Sequence, residues 1–300
     1  MPENGSIKQH KKPNIKNLKI HPAFFLIPSV VGILVFFVIP YIIMVYYSFL
    51  DNPIRKNFVG IDNYKAVIFN KAFQTAVNNT FLFTVFAVPM AVTMGLLLAL
   101  LLDDKIPGRS FLRSSMLTPL MVPTASVVLI FQVLFDYNGV VNKYITARGI
   151  DRVDFLKSSY GMIVVVILFL WKNLGYIMVL FLAALGNVPE DSIEVAKLEG
   201  ASAWQTFWHV KVRYLSPTIV FTTMLSMINS FKVFREIYLL TGEYPFGTMY
   251  MLQHYMNNTF ASTDYQKLST AAVYMSVVMV IIIGILLLAE HHFGKDFEES

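Results

Sequence analysis

The sequence has 300 residues, of which 56% are hydrophobic, and its mean hydropathy is +0.58. Soluble domains are about half apolar even when glycine is counted, so this composition argues against a soluble enzyme or binding module. The chain contains no cysteine, which excludes disulfides and thiolate metal or redox sites. Its formal net charge of +5 is spread over polar loops and tails, which indicates a lipid bilayer as a partner and no nucleic acid.

Six long apolar stretches follow a polar, lysine-rich tail at residues 1–22. Each stretch is long enough to cross about 30 Å of hydrocarbon as a helix. Two contain internal charges and four do not: Ser158–Leu185 and Tyr214–Leu240 are the charged pair, and Ala23–Phe49, Thr75–Leu102, Ser114–Phe135 and Leu268–Ala289 are uncharged. The sequence therefore predicts an all-α, polytopic membrane domain with six transmembrane helices over residues 23–290, followed by a short tail at 291–300.

The distribution of basic residues predicts the orientation of these helices. Six spans place both termini on one side of the membrane. The segments on that side hold somewhat more lysine and arginine than the opposite loops, and they include the compact basic turn Lys105–Arg113. Because positive charge is retained in the cytoplasm, we expect both termini and the polar loop at residues 189–217 to be cytoplasmic.

The 189–217 loop carries signals for two short helices. Pro189 and the two acids after it suit the first turn of a helix, since acids favour the positive end of the helix dipole. Gly200 permits a left-handed turn that would end this helix. Ser202 with Gln205 forms the pattern of a capping box, which predicts a second helix start. We expect Trp204, Phe207 and Trp208 to give this two-helix loop an apolar face.

One pattern within this loop is characteristic of a known family. It consists of Glu194, Ala196, Gly200, Ala201, Phe207 and Pro217. It resembles the cytoplasmic EAA loop of ABC-importer permeases, with Val195 where alanine is common and Glu199 where aspartate is common. Short motifs in other parts of the chain resemble, in the same order, the carbohydrate subgroup of these permeases: Val59–Tyr64, Asn78–Thr80, Ala99–Phe111 and Asn138–Asn142. The similarity therefore covers about residues 24–290, although Leu240–Pro245 departs from the usual glycine-glycine-proline ending. The alternative interpretation of the loop is an ordinary amphipathic connector.

The resemblance implies a permease subunit of an ATP-driven importer for a sugar or oligosaccharide. The implied partners are a second homologous permease, a cytoplasmic ATPase dimer and an extracytoplasmic substrate-binding protein. This chain has no Walker-type phosphate loop, so it is expected to be no enzyme, with ATP hydrolysis by the partner and no cofactor of its own. His291 and His292 are interpreted as solvated residues, and no metal site is expected. The residues assigned to ATPase coupling are Glu194, Ala196, Glu199, Gly200, Ala201, Trp204 and Phe207.

Polar groups inside the charged spans are the candidate substrate path. A charge at membrane depth costs at least about 2.5–3.5 kcal/mol and usually faces protein or a water-filled cavity. Internal pairing is an open structural alternative, either of Lys232 with Glu236 or of Lys172 with Glu236. The helical rise predicts that the groups of the two spans lie at successive depths, unless the span boundaries differ by several residues. The path is assigned to Lys172, Asn173, Tyr176, Asn229 and Lys232.

Three other functions remain open. An importer permease for amino acids, phosphate or metals is one, although such permeases usually lack the Gly60-x-Asp62-Asn63-Tyr64 pattern. An ion-driven secondary transporter would favour inverted repeats or paired broken helices, and the sequence has no clear ones. A membrane-embedded enzyme is the third, and no catalytic motif supports it.

Overall fold

The computed structural model describes residues 23–52, 54–103 and 107–294. The predicted N-terminal tail, Lys105 of the basic turn and residues 295–300 of the predicted C-terminal tail lie outside the described residues. Within the described ranges the chain is helical, and its extended pairing is confined to an isolated bridge between Leu50 and Phe58. The chain divides into two units, Met1–Tyr46 and Tyr47–Ser300.

The first unit contributes a long apolar helix with a wide turn in its middle. Helix α1 (Ala23–Ile33) passes through a π-helical segment (Leu34–Val38) into α2 (Ile39–Tyr47). Pro40 has no backbone N–H to donate and its ring crowds the preceding turn, so a wider turn just before it relieves the clash. The stretch Leu26–Tyr47 is long and apolar enough to cross a membrane.

The core of the second unit is built on two long helices in close contact. Helix α4 (Lys71–Asp103) packs along α8 (Gly161–Leu185), and α11 (Val212–Lys232) packs against both. Small residues recur every fourth position on α4 and lie on one face, where they are buried: Ala87, Ala91, Gly95 and Ala99. A Cβ at Gly95 would lie 2.4 Å from a methyl carbon of Ile177 on α8. Small side chains therefore bring the two backbones together, as is typical of membrane helices.

The third predicted span is not one continuous helix, which corrects the expectation for Ser114–Phe135. It consists of α5 (Arg109–Met121) and α6 (Thr124–Phe135), separated at Val122 and Pro123. Val122 is extended, with φ −81° and ψ 131°. The residue before a proline is disfavoured in the α region, so the helix ends here although the sequence stays apolar.

Five stretches of the described residues are long and apolar enough to cross a membrane: Leu26–Tyr47, Lys71–Asp103, Thr124–Thr146, Gly161–Leu185 and Tyr265–Leu288. The remaining predicted span, Tyr214–Leu240, is divided into α11 and α12 (Phe234–Thr241). Helix α11 is more polar than these five stretches, and it buries the hydroxyl groups of Thr222, Ser226 and Ser230. It packs against α4, α8 and α14 (Tyr265–Gly294). The chain is a polytopic helical membrane protein.

Two asparagine side chains stabilise the segments that connect the long helices by donating hydrogen bonds to backbone oxygens. The Asn63 amide, in α3 (Asp62–Ile68), donates to the backbone oxygens of Ser48 and Leu50 at 2.9 and 2.7 Å. The Asn142 amide, in α7 (Val140–Thr146), donates to the oxygens of Asp136 and Val153 at 3.1 and 2.8 Å. These bonds satisfy backbone groups that no helix would pair, so the loops are ordered elements.

Candidate functional site

The 189–217 loop folds as two short helices joined at a glycine, as the sequence predicts. Helix α9 (Glu190–Leu198) is followed by Gly200, whose φ is +83°. The Gly200 N–H donates to the Lys197 oxygen and the Ala201 N–H to the Ala196 oxygen, at 3.1 and 2.9 Å. This pair of bonds is the Schellman ending, which requires a left-handed residue at the position of Gly200. Pro189 caps α9 in an extended conformation and is not part of its first turn, which corrects one detail of the prediction.

The second helix of the loop is continuous with a long helix of the core. Helix α10 (Ala203–Thr206) starts at the predicted capping box: the Gln205 N–H donates to Ser202 Oγ at 3.3 Å, and the Ser202 N–H donates to Gln205 Oε1 at 2.8 Å. It then passes through a π-helical segment (Phe207–Lys211) directly into α11. A displacement of α10 would therefore be transmitted to α11 without a flexible linker.

An aromatic cluster gives this loop an apolar surface. The rings of Trp204, Phe207 and Trp208 contact one another with centroid distances of 5.3 to 6.1 Å. Trp204 is 69% exposed, and Leu198 at the end of α9 is 88% exposed. Contiguous apolar side chains of this kind on an otherwise polar segment are typical of a surface that contacts another protein or a membrane.

Three of the seven predicted coupling residues line one groove. The groove has a volume of about 490 Å³ and is lined in part by Glu194, Ala201 and Phe207. Lys211, which also lines it, forms an ion pair with Asp103 at the end of α4, with Nζ and Oδ2 3.6 Å apart. The ion pair connects the loop to the core. Of the predicted set, the exposed members are Glu194, Glu199, Gly200 and Trp204, and the half-buried members are Ala196, Ala201 and Phe207.

The amide and phenol groups of the candidate path meet at one depth. The Asn229 side-chain amide, on α11, donates to Asn173 Oδ1 and to Tyr176 Oη, both at 3.1 Å, on α8. Asn173 in turn donates to the Phe169 oxygen at 2.6 Å. The sequence predicted successive depths unless the span boundaries differed by several residues, and these contacts favour that exception. The predicted span starts near Tyr214, whereas α11 continues without interruption from the polar loop.

A charge pair lies beside this cluster and decides between the two pairings left open by the sequence. Lys172 Nζ donates to Glu236 Oε1 and also, at 3.2 Å, to Thr124 Oγ1. Glu236 lies in the first turn of α12, and Thr124 is the first residue of α6. Lys172 of α8 therefore connects the starts of two helices that follow breaks in the chain. Sequence spacing did not reveal Thr124, because its role depends on the break at Pro123.

All five predicted path residues line one cavity of about 240 Å³. Asn173 is buried, Lys172, Tyr176 and Asn229 are half-buried, and Lys232 is exposed at the rim. Arg235 and Glu236 also line the cavity and were not among the predicted path residues. Their spacing could have identified them, because residues three and four positions after Lys232 lie on the same face of a helix. The arrangement can donate and accept hydrogen bonds and can hold an anionic group near its rim.

Comparisons with known proteins agree with this architecture. Residues 71–291 match the family model described as the binding-protein-dependent transport system inner membrane component. The multiple sugar-binding transport system permease protein MsmF of Streptococcus mutans is 28% identical over 280 residues, which cover 92% of this chain and 95% of MsmF. The arabinooligosaccharides transport system permease protein AraP of Bacillus subtilis is 31% identical over 227 residues, which cover 74% of this chain and 72% of AraP.

A solved structure has the same fold. It is a bacterial alginate ABC transporter in complex with a periplasmic protein bound to an alginate pentasaccharide; one of its chains superposes with a TM-score of 0.78 at 20% identity, covering 91% of this chain and 94% of that chain. The family model and the relatives together cover the long helices, the 189–217 loop and the intramembrane cavity. The chain therefore belongs to the family of binding-protein-dependent transport system inner membrane components, the resemblance that its loop motifs carry.

Proposed function

We propose that this chain is a membrane-spanning permease subunit of an ATP-driven importer for a sugar or oligosaccharide. It would form the translocation path with a second, homologous permease, receive substrate from an extracytoplasmic binding protein and be energised by a cytoplasmic ATPase dimer. The permease domain would extend over residues 23–290, with residues 1–22 and 291–300 as cytoplasmic tails.

The observation that carries this proposal is the cavity between α8 and α11. Asn173, Tyr176 and Asn229 present amide and phenol groups to a cavity whose lining combines apolar and charged side chains. Groups of this kind suit the hydroxyls of a carbohydrate, and the aromatic ring suits an apolar ring face. At about 240 Å³ the cavity is smaller than the roughly 300–1,000 Å³ of typical ligand pockets, so we interpret it as one wall of a path that the second permease completes.

The names of similar proteins support a carbohydrate substrate. MsmF and AraP are named for multiple sugars and for arabinooligosaccharides. The osmoprotective compounds uptake permease GgtC of Synechocystis is 26% identical over 264 residues, so relatives for other solutes exist. Membership of a binding-protein-dependent family argues against an ion-driven secondary transporter.

The 189–217 loop supplies the proposed contact with the ATPase. Trp204 and Leu198 are exposed, and the groove beside them contains the carboxylate of Glu194. In this proposal a segment of the ATPase contacts the aromatic cluster and the rim of the groove. Closure of the ATPase dimer would move α10, and α11 would move with it because the two helices are continuous. The movement would reach Asn229 and Lys232 near the end of the same helix.

Removal of the cavity's hydrogen-bonding groups is expected to lower transport. In Asn229→Ala and Tyr176→Phe the initial uptake rate should fall by about tenfold, because hydroxyls of the solute lose their partners. The measurement is uptake into proteoliposomes that contain both permeases and the ATPase, with the binding protein added. Thr223→Val is the matched control, since this half-buried hydroxyl lies on α11 and bonds to the Ile219 oxygen at 2.7 Å within the helix.

Two further measurements make this experiment decisive. The affinity of the binding protein for the solute and the amount of purified complex should equal those of the unaltered protein. Wild-type uptake by both variants over a range of solute concentrations would remove these residues from the path. Loss of the folded complex would show instead that the cluster is structural.

The proposed orientation can be tested by labelling, because the chain has no cysteine of its own. Single cysteines are introduced at Lys143 in α7 and at Leu198 in α9, both of which are exposed. A membrane-impermeant maleimide added to intact cells should label position 143, and it should label position 198 after permeabilisation only. Labelling of position 198 in intact cells would contradict a cytoplasmic 189–217 loop.

A further inference from the structure

The rim of the intramembrane cavity carries two cations that the described residues do not neutralise. Lys232 ends α11 and Arg235 lies in the first turn of α12, and both line the cavity with exposed side chains. Among the described residues, neither has an ion-pair or hydrogen-bond partner. Glu236 is the carboxylate that lines this cavity, and its partner is Lys172. Two positive charges are therefore left without compensation.

Helix ends do not compensate these two cations. The joint between α11 and α12 is the single residue Val233, whose dihedral angles are helical, φ −60° and ψ −18°. The C-terminal end of α11 therefore adjoins the N-terminal end of α12, and their opposite partial charges largely cancel. Two like charges three residues apart on such a helical segment repel each other, and a nearby anion would offset that cost.

The surroundings of Arg235 indicate what kind of anion would fit. On one side is the cavity with the neutral groups of Asn173, Tyr176 and Asn229. On the other side Arg235 borders a second cavity of about 390 Å³, together with Phe234 and Tyr238. A solute that contacts Arg235 would thus meet hydroxyl-binding amides on one side and aromatic rings on the other. That combination suits a carbohydrate better than a small inorganic anion.

We propose that the solute is a carbohydrate with an acidic group, and that Arg235 and Lys232 bind that group. The guanidinium of Arg235 can donate two parallel hydrogen bonds to a carboxylate or phosphate, and the ammonium of Lys232 adds a point charge. The ring hydroxyls would contact Asn229 and its neighbours. This inference rests on the proposed function and specifies the substrate class of the same site.

The test compares acidic sugars with neutral sugars of the same skeleton. Digalacturonate is paired with its carboxyl-reduced counterpart galactobiose, and maltose 6′-phosphate is paired with maltose. Uptake is measured in proteoliposomes with the complete transporter and its binding protein. We expect one acidic probe to be carried at least about tenfold faster than its neutral counterpart, since a site built for an anion leaves its cations unpaired with the neutral sugar. The two pairs distinguish a carboxylate from a phosphate.

Variants then connect the preference to the two cations. Arg235→Gln and Lys232→Gln should each lower uptake of the acidic probe about tenfold more than uptake of the neutral probe, while Arg235→Lys should retain part of the preference. Lys143→Gln, in α7, removes the same charge from an exposed position outside the cavity and should change neither rate.

The possible failures are distinguishable. If neutral probes are carried as fast as acidic ones, or if the glutamine variants affect both equally, the acidic-sugar inference is wrong and the proposed function stands. If the glutamine variants lose the second permease on purification, the cations serve assembly and the inference is again wrong. If no carbohydrate is carried, the proposed function itself fails.

Discussion

Replacement of Lys172 by methionine is expected to remove most of the folded transporter from the membrane. Glu236 would remain in place with its side chain only 12% exposed, and it would have lost its cationic partner. Removal of one member of a buried ion pair costs about 3–5 kcal/mol, and the partial exposure of this pair places the expected loss near the lower value. Because stabilities of folded domains are themselves about 5–15 kcal/mol, such a loss is sufficient to reduce the yield severely.

A second substitution should restore much of that loss. In the double variant Lys172→Met/Glu236→Gln no unpaired charge is left, and the cavity keeps a similar volume. Buried ion pairs can be replaced by neutral groups at little cost, so the double variant is expected to be more stable than Lys172→Met alone. The four proteins of this cycle are compared by thermal unfolding in detergent and by the yield of monodisperse complex.

The cycle also separates folding from transport. If the double variant folds but carries no solute, the pair has a role in the path beyond its contribution to stability. A single variant that is as stable as the unaltered protein would show that Glu236 finds another cation, and Arg235 and Lys232, which line the same cavity, are the candidates. In that case the connection of Lys172 to α6 and α12 is dispensable.

Local features of this fold could be predicted from the sequence because their causes are local. The ends of α9 and α10 depend on Gly200 and on the capping pair Ser202 and Gln205, which act within a few residues. Most of the long helices were recognisable because about twenty apolar residues in succession leave few alternatives in a membrane. The aromatic cluster followed from the spacing of Trp204, Phe207 and Trp208.

The partners of intramembrane charges could not be predicted because they depend on where helices break. Lys232 and Glu236 have the spacing of an ion pair on a continuous helix. A one-residue turn at Val233 separates α11 from α12, and Glu236 pairs with Lys172 of α8 instead. The break before Thr124 has a local cause in Pro123, but the apolar run around it hid the signal.

Substitution of Gly200 by valine is expected to abolish most transport while the protein still inserts in the membrane. Gly200 has φ +83°, and a β-branched residue in that conformation costs about 1–3 kcal/mol. Nothing lies within 4 Å of a Cβ built at this position, so the effect is conformational and not a steric clash. Relief of the strain would open the Schellman ending and change the angle between α9 and α10. We expect uptake to fall by more than tenfold, with ATP hydrolysis no longer stimulated by solute and binding protein.

Two matched variants identify the cause of that defect. Asparagine tolerates left-handed conformations better than other non-glycine residues, so Gly200→Asn should retain most of the uptake. Gly247→Val makes the same chemical change where the backbone is not left-handed and where nothing lies within 4 Å of the added Cβ. It should leave the coupling ratio of solute carried to ATP hydrolysed unchanged. Normal coupling in Gly200→Val would mean that the angle between α9 and α10 is not what the ATPase acts on. An equal loss in Gly200→Asn would mean that the side chain itself obstructs the contact, because asparagine can keep the φ that valine cannot.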